Sequence, residues 1–260
     1  MTPSQPNRIT PAARARKLWV RFGFSNPAEL ILEDVAFTLG VVVIEGRLDS
    51  ADARLIRNHK NGLIRVREDI PEAGRKRFAV AHEMGHWELH EGVSQVFSCT
   101  SDDMIAGYKA STHEIEANLF AAELLMPQHL FQERVGVNDP SVPLLRDLAT
   151  YFQTSLTATA LRLVEVTDEK YAMVVVEDGR VRWWRASEAF DGFWLGPKMA
   201  VQEDTVAGSF FKGELPPVEA EEVDGEAWLG SKAARVAESL YEVAIPLGRY
   251  GQVISLLWPA

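Results

Sequence analysis

One cysteine, Cys99, stands in the whole chain of 260 residues. A lone cysteine excludes an internal disulfide and a cysteine-based zinc finger, and it suits a reducing cytoplasm. Long apolar runs are missing as well: no stretch approaches the roughly 20 residues of a membrane span. Residues 1–10 lack the apolar core of a secretory signal. Basic residues are in deficit, with 27 Lys and Arg against 37 Asp and Glu, a net charge of −10. The acidity lies toward the C-terminus: −3 over residues 1–166 and −7 over 167–260. Phosphate contacts need clustered Lys and Arg, so this balance disfavours direct DNA binding. What is left is an ordinary globular composition, 47% hydrophobic and 25% charged, long enough for two compact domains or one large one.

Against that background one stretch carries chemistry, His82-Glu83-Met84-Gly85-His86. Residues four apart on a helix share a face, one turn up. His82 and His86 can therefore aim two imidazoles at one point, as a tetrahedral zinc requires. Glu83 is rotated by roughly 100° from His82. It is badly placed as a third ligand but well placed to hydrogen-bond a water at that point, take its proton and pass it on to a leaving amine. The lead-in Lys76–Ala81 is helical in pattern, with Phe78, Ala79 and Ala81 able to face a core. Gly85 leaves space above the helix at a cost of up to about 1 kcal/mol, which an open metal site would explain. His90 repeats the same stride. It stands about 12 Å from His82 along the axis, too far for one ion to hold both. Its place is on the surface or behind a ligand.

A third ligand is sought on the next helix, predicted over His113–Met126 with Thr112 as its cap and Pro127 as its stop. Glu114 and Glu116 both qualify by type. They point about 200° apart, so at most one faces the metal. Glu114 shares its face with Asn118, Ala121 and Leu125, and Asn118 is placed to hydrogen-bond a ligand histidine. Ala117, Ala121 and Ala122 let two helices approach closely. Glu116 shares its face with Phe120 and Glu123 and reads as a solvated position. Glu114 is the choice. His113 is turned away. For a donor to the transition state the sequence offers only the proximity of Tyr108 or His113.

The remaining elements follow from punctuation and periodicity. Thr10-Pro11 opens a basic amphipathic helix through Arg14, Arg16, Lys17 and Arg21. Asn26-Pro27 opens a second helix that Gly40 stops, with Leu30, Ile31, Val35 and Leu39 buried. Val41–Ile44 reads as a strand, Asn61-Gly62 as a hairpin turn, and Leu63–Arg67 as the strand leaving it. Residues 92–109 read as a loop between the two halves of the site. Past Gly136, Asn138, Pro140 and Pro143, two short helices are predicted with a turn near Thr154-Ser155, a helix-turn-helix-like outline. Only Arg146 and Arg162 are basic there, against Asp147 and Glu165, so packing is the favoured role. Residues 167–260 read as strands over Tyr171–Val176, Val181–Trp184, Tyr241–Ile245 and Val253–Leu257, with a turn at Glu177–Arg180, acidic loops over Val201–Glu226 and a helix over Ala233–Leu240. Trp183, Trp184, Trp194, Trp228 and Trp258 are expected in that core.

Two segments together carry a family resemblance. Arg77-Phe78-x-x-Ala81-His82-Glu83-x-Gly85-His86, followed by Glu114-x-x-Ala117-Asn118-x-Phe120-Ala121-x-x-Leu124-Leu125-Met126-Pro127, resembles the ImmA/IrrE metallopeptidases. The paired motifs span about 50 residues and are far more specific than His-Glu-x-x-His alone. The resemblance implies a zincin-like (gluzincin) site similar to that of thermolysin-type enzymes, with His82, His86 and Glu114 as ligands and Glu83 as the catalytic carboxylate. The metal is zinc by ligand type, with manganese as the alternative, because availability and geometry decide occupancy along with affinity. It also implies a narrow substrate: a helix-turn-helix (XRE-type) repressor of DNA-damage and radiation-response genes, whose cleavage would switch those genes on. Members of that regulatory kind end in a GAF-like domain, a type that often senses small molecules, though no residue here names a ligand.

The expectation is thus a three-part α+β protein. Residues 1–135 form the metallopeptidase-like domain, 136–166 the helix-turn-helix-like segment, and 167–260 the GAF-like sensor domain. A DNA-binding regulator that keeps the metal as structure is the competing reading.

Overall fold

A computed structural model of the chain describes residues 9–58, 60–99 and 111–260. The described residues fall into two compact units, one running up to residue 131 with 149–155, the other comprising 132–148 and 156–260.

The first unit is built on a four-stranded sheet. Its strands are β1 (Val41–Gly46), β2 (Ala53–Arg57), β3 (Gly62–Arg67) and β4 (Val96–Cys99), in the order β1-β3-β2-β4. β1 runs parallel to β3, and the other pairs are antiparallel. Inward positions Leu55, Ile64, Val66 and Phe97 are buried, as period-two alternation requires. β1 and β3 stand where the sequence pattern predicts strands, β2 has no such pattern, and β4 falls in a segment expected to be loop. The turn between β2 and β3 is anchored by Asn58, whose Oδ1 accepts from the N–H groups of Lys60 and Asn61. Gly62 is not a turn residue but the first of β3. A Cβ there would lie 2.9 Å from the Trp87 ring, so glycine makes room for that indole.

Three helices complete this unit's framework: α1 (Ile9–Phe22), α2 (Leu32–Thr38) and α3 (Ala73–Leu89). Asn26 does cap a start, with a reciprocal capping box to Glu29, but it opens a single 3-10 turn, and α2 begins only at Leu32. This restart rotates the buried face: Leu30, Leu32, Val35 and Ala36 are inside, whereas Ile31 is 52% exposed. α3 lies against β2 and β3. Its first turn is pinned by Arg75, which forks onto the buried carboxylate of Asp52 at 2.8 and 2.9 Å, while Arg67 holds the same carboxylate at 3.0 Å. Residues 79–86 of α3 are buried without interruption, the mark of a helix covered on every side.

α4 (Thr112–Leu125) covers α3, and α1 packs on α4, with Trp19 Nε1–H donating to Leu124 O at 2.8 Å. Its cap is Ser111, one residue before the predicted Thr112: the Ser111 hydroxyl accepts the N–H of Glu114. α5 (Gln128–Val135) and α6 (Val142–Phe152) follow, and the division between the units passes through both.

The second unit contains α7 (Leu156–Val166) and a five-stranded antiparallel sheet. Its strands are β5 (Ala172–Glu177), β6 (Arg180–Ala186), β7 (Glu221–Asp224), β8 (Ser239–Pro246) and β9 (Gln252–Pro259), in the order β6-β5-β9-β8-β7. Five consecutive residues of β5 are buried because both sheet faces are covered, and α7 packs against β5 and β6. On the other face Val174, Val176, Val253 and Leu257 meet Val206 and Ala207 of α8 (Val206–Phe211) and Trp228 of α9 (Gly225–Leu229). The expected turn is there: Asp178 and Gly179 both take positive φ, as a tight hairpin demands. α8 and β7 fall in the region read as acidic loops, α9 starts at its end, and α10 (Ala233–Val236) is only one turn of the helix expected over Ala233–Leu240. Trp228 is core, but Trp194 is 52% exposed under the Lys232 ammonium, 4.0 Å from its ring centre.

Candidate metal centre

α3 and α4 make the site together, and a small-residue seam sets their spacing. A Cβ on Gly85 would stand 3.0 Å from Ala117 Cα and 3.1 Å from Ala117 O. The space above Gly85 is therefore filled by the α4 backbone and not by a metal pocket. The glycine is still explained by the site, because this contact is what brings Glu114 down to the histidines.

Three donor atoms converge. His82 Nε2 is 2.9 Å from Glu114 Oε2, His86 Nε2 is 3.3 Å from the same oxygen, and the two Nε2 atoms are 3.0 Å apart. Both rings are buried, and the Glu114 side chain is 18% exposed. Among the described residues these three form the group that could hold a metal ion. Bonds of about 2.0–2.1 Å at tetrahedral angles put ligand atoms about 3.3 Å apart, so a triangle with edges of 2.9–3.3 Å fits a divalent cation with little adjustment. Two neutral-nitrogen donors and one carboxylate suit zinc or manganese by type.

The tautomers agree with that use. His82 Nδ1 is 2.8 Å from Asn118 Oδ1. An amide oxygen only accepts, so the Nδ1–H donates and Nε2 faces the donor triangle. Asn118 does what its spacing from Glu114 suggests. Glu83 is fully buried one residue on from His82, and its charge acts on that ring. Phe97 of β4 stacks on His86 with centroids 4.2 Å apart and planes 18° from parallel.

His90 takes the second of its two expected places, behind a ligand, and Glu116 departs from expectation. His90 is 2% exposed and contacts His86, and Glu116 accepts from His90 Nε2 at 3.1 Å. The Glu116 face is not solvated because neighbouring helices cover it: Glu116 meets His90 at the end of α3, Phe120 is fully buried, and Glu123, 2% exposed, takes a hydrogen bond from Arg16 of α1 at 3.1 Å. His113 lies edge-on to His90 at 4.7 Å and does not reach the triangle's donor set. Tyr108 lies outside the described residues.

Electrostatics separate the three donors. Burial drags His86 down to about 4, aided by the charges of His82 and His90 and against the pull of Glu114. Burial would raise Glu114, but the close imidazoles, His82 first and then His86, hold it far below the usual carboxylate range. Burial also opposes the charged form of His82, yet the Glu114 hydrogen bond and the charges of Glu83 and Glu114 prevail and raise it. His86 and Glu114, both shifted down, carry no competing proton at neutral pH, and His82, shifted up, is the donor that holds its proton to the highest pH. Zn²⁺ affinity should rise with pH up to the raised His82 value and flatten beyond it, with one proton released per ion below that value. Calorimetry in buffers of different ionisation enthalpy measures that release. A release of two protons near neutrality would contradict this ordering.

Residues 36–164 match the IrrE N-terminal-like domain of the M78 peptidases. This stretch of the chain belongs to that family. The M78 match covers β1, both site helices and the helices through α7. The solved structure of a Mycobacterium tuberculosis transcriptional regulator shares the fold over nearly the whole chain: TM-score 0.61 at 15% identity, covering 96% of this chain and 77% of that one. A search of curated proteins finds no match to this chain. Among the described residues, no helix is long and apolar enough to cross a membrane.

Proposed function

We propose that the chain is a cytoplasmic, metal-dependent, site-specific peptidase that cleaves a helix-turn-helix (XRE-type) repressor and so induces DNA-damage and radiation-response genes. The observation that carries this reading is a three-donor triangle on two helices with a buried carboxylate, Glu83, beside one of the donors. His82, His86 and Glu114 would hold the cation, zinc or manganese. Bound there, a divalent cation supplies the Lewis acidity that polarises a peptide carbonyl and makes water nucleophilic. Glu83 takes the proton of the attacking water and returns it to the leaving amine. His86 is held in place by Phe97, and His82 by Asn118.

The first unit is then the zincin-like domain, α6 and α7 the helix-turn-helix-like segment, and the sheet of the second unit a GAF-like sensor for an unidentified small molecule. Likeness of fold to a transcriptional regulator suits a regulatory peptidase with a narrow substrate range. A general protease loose in the cytoplasm would be toxic.

Direct DNA binding is the rival reading, with the metal kept as structure. Arg162, one of the two arginines in α6 and α7, is 6% exposed, and Asp147 is paired with Arg134 at 2.8 Å. That leaves little positive surface for phosphates, and a steep fall of DNA affinity with salt would be needed to revive it.

The test is the intact mass of a purified XRE-type repressor after incubation with the protein and Zn²⁺ or Mn²⁺, with and without chelator. Two fragments that vanish with chelator are expected. An intact repressor in every tube, with metal bound and the protein folded, would overturn the peptidase reading.

A further inference from the structure

Behind His86 lies a polar pair that the proposed reaction leaves unused. His86 Nδ1 is 2.9 Å from His90 Nδ1, and His90 Nε2 is 3.1 Å from Glu116 Oε2. The three groups run away from the donor triangle: His86 lies in α3, His90 is the residue that caps its C-terminus, and Glu116 lies in α4.

The protons in this line are fixed by what each atom can do. A carboxylate only accepts, so the His90 Nε2–H donates to Glu116. A neutral His90 is then bare at Nδ1. Two ring nitrogens 2.9 Å apart need one proton between them, and only His86 can supply it from its own Nδ1. That choice leaves the His86 lone pair on Nε2, the atom 3.3 Å from Glu114 Oε2 and 3.0 Å from His82 Nε2. The opposite tautomer would put a hydrogen in the triangle and no lone pair. The stacked Phe97 ring limits the tilt of His86, and His113 meets His90 edge-on at 4.7 Å.

We infer that His90 and Glu116 form a positioning pair, which sets the tautomer and aim of His86 toward a divalent cation. The inference rests on the metal-binding reading of the triangle. It goes beyond the ligand set, because neither residue touches the cation's place. His82 has a neutral amide, Asn118, in the equivalent role. His86 instead has a line that ends in a carboxylate, which strengthens its Nε2 as a donor.

Two readouts test the pair: the ring ¹⁵N spectrum of histidine-labelled, metal-free protein, which reports the His86 tautomer, and Zn²⁺ affinity by chelator competition. The wild type should show His86 protonated at Nδ1. His90→Leu should lose that preference and bind Zn²⁺ about 10–100-fold more weakly. His90→Asn offers an amide oxygen close to the lost Nδ1, so it should restore the tautomer and most of the affinity. Glu116→Gln should fall between His90→Leu and the wild type. A role confined to holding two helices together predicts no change of tautomer and no rescue by asparagine. A folded His90→Leu that keeps the wild-type tautomer and affinity overturns the inference. If the wild type itself binds no Zn²⁺, the metal reading fails, and the metal-free tautomer still decides whether His90 directs His86.

Discussion

Glu83→Gln should slow repressor cleavage by about 10²–10⁴-fold, the usual range for losing a positioned general base, while Zn²⁺ affinity stays close to wild type. The amide has nearly the shape of the carboxylate, which matters at a fully buried position. It can neither take a proton from water nor return one to an amine. Glu83 is also outside the group of His82, His86 and Glu114, so the donor triangle is unaltered. Single-turnover cleavage measures the first effect, chelator competition the second, and a thermal melt checks the fold. A variant that cuts at the wild-type rate would remove Glu83 from the chemistry. A variant that cuts nothing yet relieves repression in cells as well as wild type would mean that the protein works by sequestering the repressor.

The residues legible in the sequence were those whose chemistry is fixed by helical period. His82 and His86 fall on one face by spacing alone, and the choice of Glu114 over Glu116 follows from the face shared with Asn118; the structure brings these four side chains together. What escaped were features set by packing between elements. Glu116 reads as solvated on an isolated helix, and only the packing of α3 and α1 on α4 shows that side of the helix to be covered. Gly85 reads as open space until Ala117 is seen against it. β2 escaped because its short apolar pair, Leu55 and Ile56 between Arg54 and Arg57, breaks strict alternation and looks like surface loop until β3 and β4 flank it. Ile31 would face inward on one continuous helix from Pro27, and the break at Leu30 turns it outward.

The second unit holds the other large expected effect, at Glu242. This β8 carboxylate is fully buried, yet it accepts four hydrogen bonds. Val206 N–H and Trp228 Nε1–H donate to Oε2, each at 3.0 Å. Ala207 N–H at 2.9 Å and the Ser255 hydroxyl at 2.7 Å donate to Oε1. One side chain thus ties β8 to β9, to the first turn of α8 and to α9. Replacing a buried ion by an apolar side chain can be harmless when its partners are replaced too. Here two of the partners are backbone N–H groups, which no substitution removes. Glu242→Leu would strand up to four donors, at about 1–3 kcal/mol for each buried group left unmade. A loss of that size rivals the roughly 5–15 kcal/mol that holds an ordinary domain folded. Denaturant unfolding followed by tryptophan fluorescence suits the measurement, since Trp228 is itself one of the four partners. The transition should move to much lower denaturant or be absent from the outset. Glu221→Leu, on the exposed edge strand β7, should stay within about 0.5 kcal/mol of wild type and controls for added surface hydrophobicity. Equal and small shifts for both variants would mean that water satisfies the four donors and that the carboxylate is dispensable to the fold.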